Sequence, residues 1–281
     1  MSRPVTDQMR STARRMFRLV EPIGVIPYQA SEPTEALMAL GLRNAWDAYF
    51  AGRAAALGRV PAEVVHALFY SFADGEVARH VPHVWELTTP EAALAAREQG
   101  SVAALRRILG DLAETAGVVR AADLAAKAAV SAPLEGRPMY AALRTLPEPQ
   151  EPLARLWHAA TLLREHRGDG HVAALVTAGI GGTEAHVLHA LAERMPAARF
   201  GRVHHLRPST LAAVIDGMRD RGLVDDSGWL TDAGRETKQR IEALTDELAA
   251  PAYAALDAGE LDRLVADLEP LAARLDAAGS R

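Results

Sequence analysis

The chain has 281 residues, about half of them apolar and a quarter charged, with a formal net charge of −5 and no cysteine. That length admits one large domain or two smaller ones, and the missing thiols exclude disulfides, thiolate zinc sites and a cysteine nucleophile. The net negative charge disfavours broad attraction to nucleic acid or anionic membrane, leaving room only for a local basic patch.

The N-terminal stretch "MSRPVTDQMRSTARRMFRLVEPIG" is arginine-rich and has no continuous apolar run, unlike a secretory signal. No later window reaches about eighteen uninterrupted apolar residues, so no membrane span is expected, and with no cysteine the chain suits the cytoplasm. "VPAEVVHALFYSFAD" places Pro61 in a first turn and Val64, Val65, Leu68, Phe69 and Phe72 at helical spacing. "TTPEAALAAREQGSVAALRRILGDLAETAG" predicts a helix capped by Thr89, with Pro90 and Glu91 in its first turn. Strand-like alternation is nearly missing, so the expected fold class is mainly α.

"RTLPEPQEP", residues 144–152, carries three prolines and reads as the internal boundary. It divides the chain into a helical N-terminal region (1–143), a linker (144–152), a winged-helix-like region (153–249) and a C-terminal packing or dimerisation helix (250–281). Just after the linker, "LARLWHAATLLREHRGDGHVAAL" is predicted to form a helix that stops at Gly168 and Gly170. Asp169 is then expected to cap a second helix, with His171 in its first turn.

From about residue 183 the elements follow a specific order. "TEAHVLHALAER" is an amphipathic helix, "RPSTLAAVIDGMRDRGLV" a second one ending at Gly222, and "DDSGWLTDAGRETKQRIEALTDELA" a tight turn, a short strand and a helix capped by Thr231 or Asp232. Through Pro208-Ser209-Thr210, Val214, Asp216, Arg221-Gly222-Leu223-Val224 and Leu230 to Arg235, this half resembles the winged-helix core of MarR-type regulators. The resemblance implies DNA contact through Arg202, Arg207, Ser209, Thr210 and Arg219, and a homodimer held by the terminal helices. The wing departs from that pattern: it shrinks to "VDDSGWL", and Asp225 and Asp226 would repel phosphates rather than bind them. Over most of its length, through "YFAGRAAALG", "PAEVVHALFYSF", "HVPHVWELTTPEAALAAR", "LWHAATLLREHRGDGHVAAL" and "IEALTDELAAPAY", the chain is similar to a wider actinobacterial family of helix-turn-helix proteins. That likeness implies a helical N-terminal region and a degenerate winged helix; it implies no particular activity.

The crowd of titratable groups around residues 157–171 is the main functional clue. One reading is a structural corner whose charges satisfy helix ends. The other is a pocket for a small, planar, anionic molecule. Trp157, His158, Arg164, Glu165, His166, Arg167, Asp169 and His171 would bind its polar edge, and Trp46, Tyr49, Phe50, Phe69 and Tyr70 would wall its ring. Half of the chain's fourteen aromatic residues fall between Trp46 and Trp85, which favours such a wall. An acid–base enzyme using His158, Glu165 and His166 is the alternative from another class, and a structural or partner-binding helical protein is a third. The histidines, including His80 and His83, lack the i, i+4 pairing of a helical zinc motif, so neither metal nor cofactor is expected.

Overall fold

The computed structural model describes residues 5–200 and 206–279. Among them lie thirteen α-helices. The first eight are α1 (Asp7–Gly24), α2 (Ser31–Met38), α3 (Ala45–Ala54), α4 (Ala62–Phe69), α5 (Val84–Leu87), α6 (Pro90–Leu109), α7 (Ala116–Ser131) and α8 (Pro138–Leu143). After the proline-rich turn come α9 (Pro152–Thr177), α10 (Gly182–Ala192), α11 (Pro208–Asp220), α12 (Asp232–Ala249) and α13 (Ala258–Gly279). The mainly α reading holds. No described helix is long and apolar enough to cross a membrane.

Side chains start the long helices by accepting from N–H groups that have no partner within the helix. Thr6 accepts from Met9, Thr89 from Ala92 and Thr231 from Gly234, while the Glu151 carboxylate takes both Leu153 and Ala154. Pro90 and Pro152 occupy first turns, where a missing N–H loses no hydrogen bond.

The predicted break in "REHRGDGH" is not there: α9 runs unbroken from Pro152 to Thr177. Two interior glycines disfavour a helix by about 1 kcal/mol each relative to alanine, and burial of nearly the whole segment outweighs that. Gly170 is a close-approach residue; a Cβ there would lie 3.2 Å from the Leu248 Cβ and 3.4 Å from the Arg137 guanidinium. Asp169 therefore caps no helix of its own. Its carboxylate accepts from Tyr140 N at 3.0 Å, in the first turn of α8, and His171 lies mid-helix rather than at a helix start.

The first turns of α9 form the axis of the main core, with α1, α6, α7 and α8 packed around it. The Ala121, Ala122, Ala125, Ala126 and Ala129 face of α7 is small enough for a close helix–helix approach. Helix α13 spends its apolar stripe on this same core, burying Leu264, Leu268, Leu271 and Leu275 against α1, α6 and α7. That stripe is thus covered by the chain itself.

A second hydrophobic cluster begins at Ala174 and Leu175, in the last turns of α9, and gathers residues of α10, α11 and α12. The expected short strand is reduced to one antiparallel bridge, Val224 to Leu230, closing the turn before α12. Gly222 ends α11 with φ of +70°, a conformation that suits glycine. Helix α9 belongs to both clusters.

Candidate functional site

A cavity of about 430 Å³ opens between α2, α3, α6, α9 and the 3-10 turn at Ile26–Tyr28. That volume is within the range of small-molecule sites, roughly 300–1,000 Å³. Its walls include Tyr28, Trp46, Tyr49, Arg53, Arg97 and Arg164. The Tyr28 and Tyr49 rings are 5.3 Å apart, and Trp46 stands edge-on to Tyr49 at 5.6 Å.

Helical spacing explains the three cationic positions. Arg97 occupies the buried stripe of α6 with Ala93, Gly100, Ser101 and Ala104, so its guanidinium has nowhere to go but inward. It is 4% exposed. It donates to the Tyr28 hydroxyl at 3.1 Å and lies over the rings of Trp157 and Tyr28, at 5.3 and 5.8 Å. Its Nε meets no acceptor, and among the described residues it has no ion pair.

Arg53 donates to Tyr49 Oη at 2.9 Å, lies 4.1 Å over the Phe69 ring and reaches Glu165 at 3.5 Å. Arg164 binds Glu165 at 2.7 Å and Glu21 of α1 at 3.1 Å. Burial pushes the Glu165 carboxyl up, but Arg53, Arg164 and Arg97 outweigh it and hold the group ionised, below the usual carboxylate range. For Glu21 burial wins over Arg164, and its pKa is raised. Burial lowers the pKa of Arg53 and Arg164, and the surrounding phenols and carboxylates more than restore it.

The sequence-predicted residues divide into several groups. Trp46, Tyr49 and Arg164 line the cavity. Phe50 and Phe69 are buried behind it, Phe50 edge-on to Tyr49 and stacked on Phe69. Trp157 lies beneath Arg97, and Glu165 backs Arg53 and Arg164 without lining the space. Tyr70 is elsewhere: its hydroxyl donates to the Ile180 carbonyl at 2.5 Å, joining the main core to the second cluster. His158 is half-buried outside the lining, where burial lowers its pKa against the opposing pull of Glu148.

His166, Arg167, Asp169 and His171 face the joints with α8 and α12 instead. His166 is edge-on to Tyr140 at 5.1 Å, and Arg167 binds Asp246 at 2.7 Å and stacks on Phe17 at 4.4 Å. His171 Nδ1 is 3.0 Å from Thr245 Oγ1. The acid–base trio of His158, Glu165 and His166 is therefore spread out: Glu165 and His166 diverge by about 100° around α9, and His158 lies about 10 Å before Glu165 along it. His80 is taken up by Asp47 at 2.7 Å and His83 by Glu86.

Sequence reasoning missed Tyr28, Arg53 and Arg97. The available signal was a lone arginine inside an otherwise small, apolar helical stripe, as in "AALAAREQGS" and "YFAGRAAALG".

On the second cluster, Arg207, Ser209 and Thr210 are exposed at the start of α11. Arg219 pairs with Asp216 and Arg221 with Glu184. Arg202 lies outside the described residues.

No curated protein and no solved structure matches the chain. A family model described as a helix-turn-helix family matches residues 13–280. The match takes in the cavity-bearing core as well as the α10–α12 region, and the chain belongs to that helix-turn-helix family.

Proposed function

We propose that this protein is a ligand-responsive, regulator-like member of its family. A small planar anion occupies the cavity between α2, α3, α6 and α9, and the α10–α12 module, with α11 in the recognition position and a short MarR-like wing, contacts DNA. One observation carries the reading: α9 bears Arg164 in the cavity wall and, one turn later, Arg167 in the buried ion pair to Asp246 of α12. Those two arginines are about 4.5 Å apart along one rigid element. A guest that redistributes the Glu21–Arg164–Glu165 bonds thereby acts on the helix that holds the module.

The DNA contact of this reading is modest in charge. Arg219 and Arg221 are already paired, and Asp225 and Asp226 stand on the wing, so Arg207 is the main described cation on the face. Affinity for a mixed-sequence duplex, followed by fluorescence anisotropy, is expected to fall steeply between about 50 and about 200 mM salt. Arg207→Ala should weaken binding uniformly and reduce the salt slope by about 1. Absence of binding at the lower salt would remove the DNA half of the proposal.

A further inference from the structure

We propose that the cavity is a monocarboxylate site. It takes an aromatic ring system with a single carboxylate, the carboxylate held by Arg97 and Arg53 and the ring laid against Trp46 and Tyr28. This rests on reading the cavity as the seat of a small anion, and it names the anion's chemistry.

Charge comes first. Three guanidinia face the cavity, Arg53, Arg97 and Arg164, and two carboxylates answer them, Glu165 and Glu21. Asp47 is not part of the cavity lining; its oxygens are directed to His80 and to the Asn44 amide. The guanidinia at the wall outnumber those carboxylates by one, and Arg97, 4% exposed, is the member that no carboxylate contacts directly among the described residues, acting on Glu165 only at a distance. A buried guanidinium with no carboxylate in contact opposes folding, and a bound anion on it would offset that cost. A monoanion balances the wall, whereas a phosphate dianion reverses its sign.

Donor geometry points the same way. A guanidinium offers five N–H donors in a planar fork that matches the two oxygens of a carboxylate. Arg97 uses one toward Tyr28, and Arg53 uses its own on Tyr49 and, at 3.5 Å, Glu165. Tyr28 Oη accepts from Arg97, which leaves the phenol's hydrogen as a further donor for the guest. Gly52 keeps the wall thin, since a Cβ there would press to 2.8 Å from Leu37 Cδ1 and 3.4 Å from Arg97 Cδ. Apart from Thr34 the remaining surface is aromatic and aliphatic, with Tyr28, Trp46 and Tyr49 beside Pro27 and Leu37, which suits a ring and gives a strongly hydrated phosphate little to bind.

The test uses the full-length protein with benzoate, 2-naphthoate and anthracene-2-carboxylate, each beside its primary amide, and with 2-naphthyl phosphate and inorganic phosphate. Binding is read by thermal shift and by quenching of tryptophan fluorescence, because Trp46 lies in the wall. At least one carboxylate is expected to raise Tm by several degrees and to bind tenfold or more tighter than its amide. Arg97→Met should lose that preference while the ligand-free Tm stays level or rises, because the substitution keeps the stem's packing and removes a buried charge that no carboxylate contacts directly. Equal binding of acid and amide would overturn the carboxylate assignment and leave a planar guest in place. Tighter binding of naphthyl phosphate would overturn it in favour of a dianion. No binding by any compound would overturn the cavity reading itself. Should Arg97→Met fail to fold, the acid–amide comparison on the unaltered protein decides the matter.

Discussion

His166 is buried and His171 half-buried, and loss of solvent pushes the pKa of each down to about 4. His166 Nε2 has no partner, and the ring is 1% exposed, so its neutral form is the one the fold accepts. The unfolded chain takes up protons near pH 6.5, well before the folded one, so each ring's contribution is whole above about 6.5 and is lost as pH falls toward about 4. Asp169 works in the opposite direction. Burial raises its pKa to about 6 from 3.8, so its contribution is present below 3.8 and disappears as pH rises through about 6. Two histidines against one carboxyl give a net loss of stability between about pH 6.5 and 4. His166→Phe keeps the edge-on contact with Tyr140 and removes one titration. Urea unfolding at about pH 7.5 and about pH 5 should show a drop smaller than in the parent by about 2 kcal/mol. An unchanged drop would place the acid sensitivity elsewhere.

Among the elements, α9 carries one glycine that packing leaves unexplained and one that packing requires. Gly168 has open space, its Cβ position lying 3.7 Å from Glu165 Oε2, whereas Gly170 is pressed against Leu248 and Arg137. Gly168→Ala should stabilise the protein by about 0.5–1 kcal/mol through helix propensity. Gly170→Ala should destabilise it by about 1–3 kcal/mol through overpacking. Loss of stability in both would restore the corner that the sequence suggests. Gly100 is a sharper case, because a Cβ there would come within 2.7 Å of the Glu32 carbonyl oxygen and the Pro33 nitrogen, both backbone. Gly100→Ala should therefore loosen the α2–α6 contact, seen as a lower urea midpoint.

These same elements show what was legible. The Thr89 and Thr231 caps, the Gly222 stop and the mainly α class depend on local spacing and local hydrogen bonds, and all were readable. "RGDG" was misread because local propensity was outweighed by α12, eighty residues away, packing against it. Trp46, Tyr49 and Arg164 were found through scarcity of type and clustering of charge. Arg53 and Arg97 required knowing which face of α3 and α6 turns inward, a question that tertiary packing decides.

Across the whole molecule, the joint between the two clusters is ionic and partly enclosed. Arg14 of α1 and Arg167 of α9 both grip α12, through Asp246 at 2.8 and 2.7 Å and through Glu242. Lys238 adds a further bond to Glu242, and these partners hold the Glu242 carboxyl at about 2 despite burial. Asp246→Ala leaves two guanidinia with only Glu242 to share. It should destabilise the protein by about 3 kcal/mol in denaturant unfolding, at the lower end of the cost of breaking a buried pair because Glu242 remains. In the proposed regulator it should also abolish any effect of a cavity ligand on DNA affinity, while Arg207→Ala lowers affinity and leaves that effect intact.

Because α9 donates Ala174 and Leu175 to the second cluster, and Tyr70 reaches across to the Ile180 carbonyl, the C-terminal half is not a portable cassette. A graft beginning at Gly182 would arrive without one side of its own interior. Swapping this half onto a foreign sensor requires α9 to travel with it, and α9 is also the axis of the main core, so no cut on either side of it leaves both interiors closed.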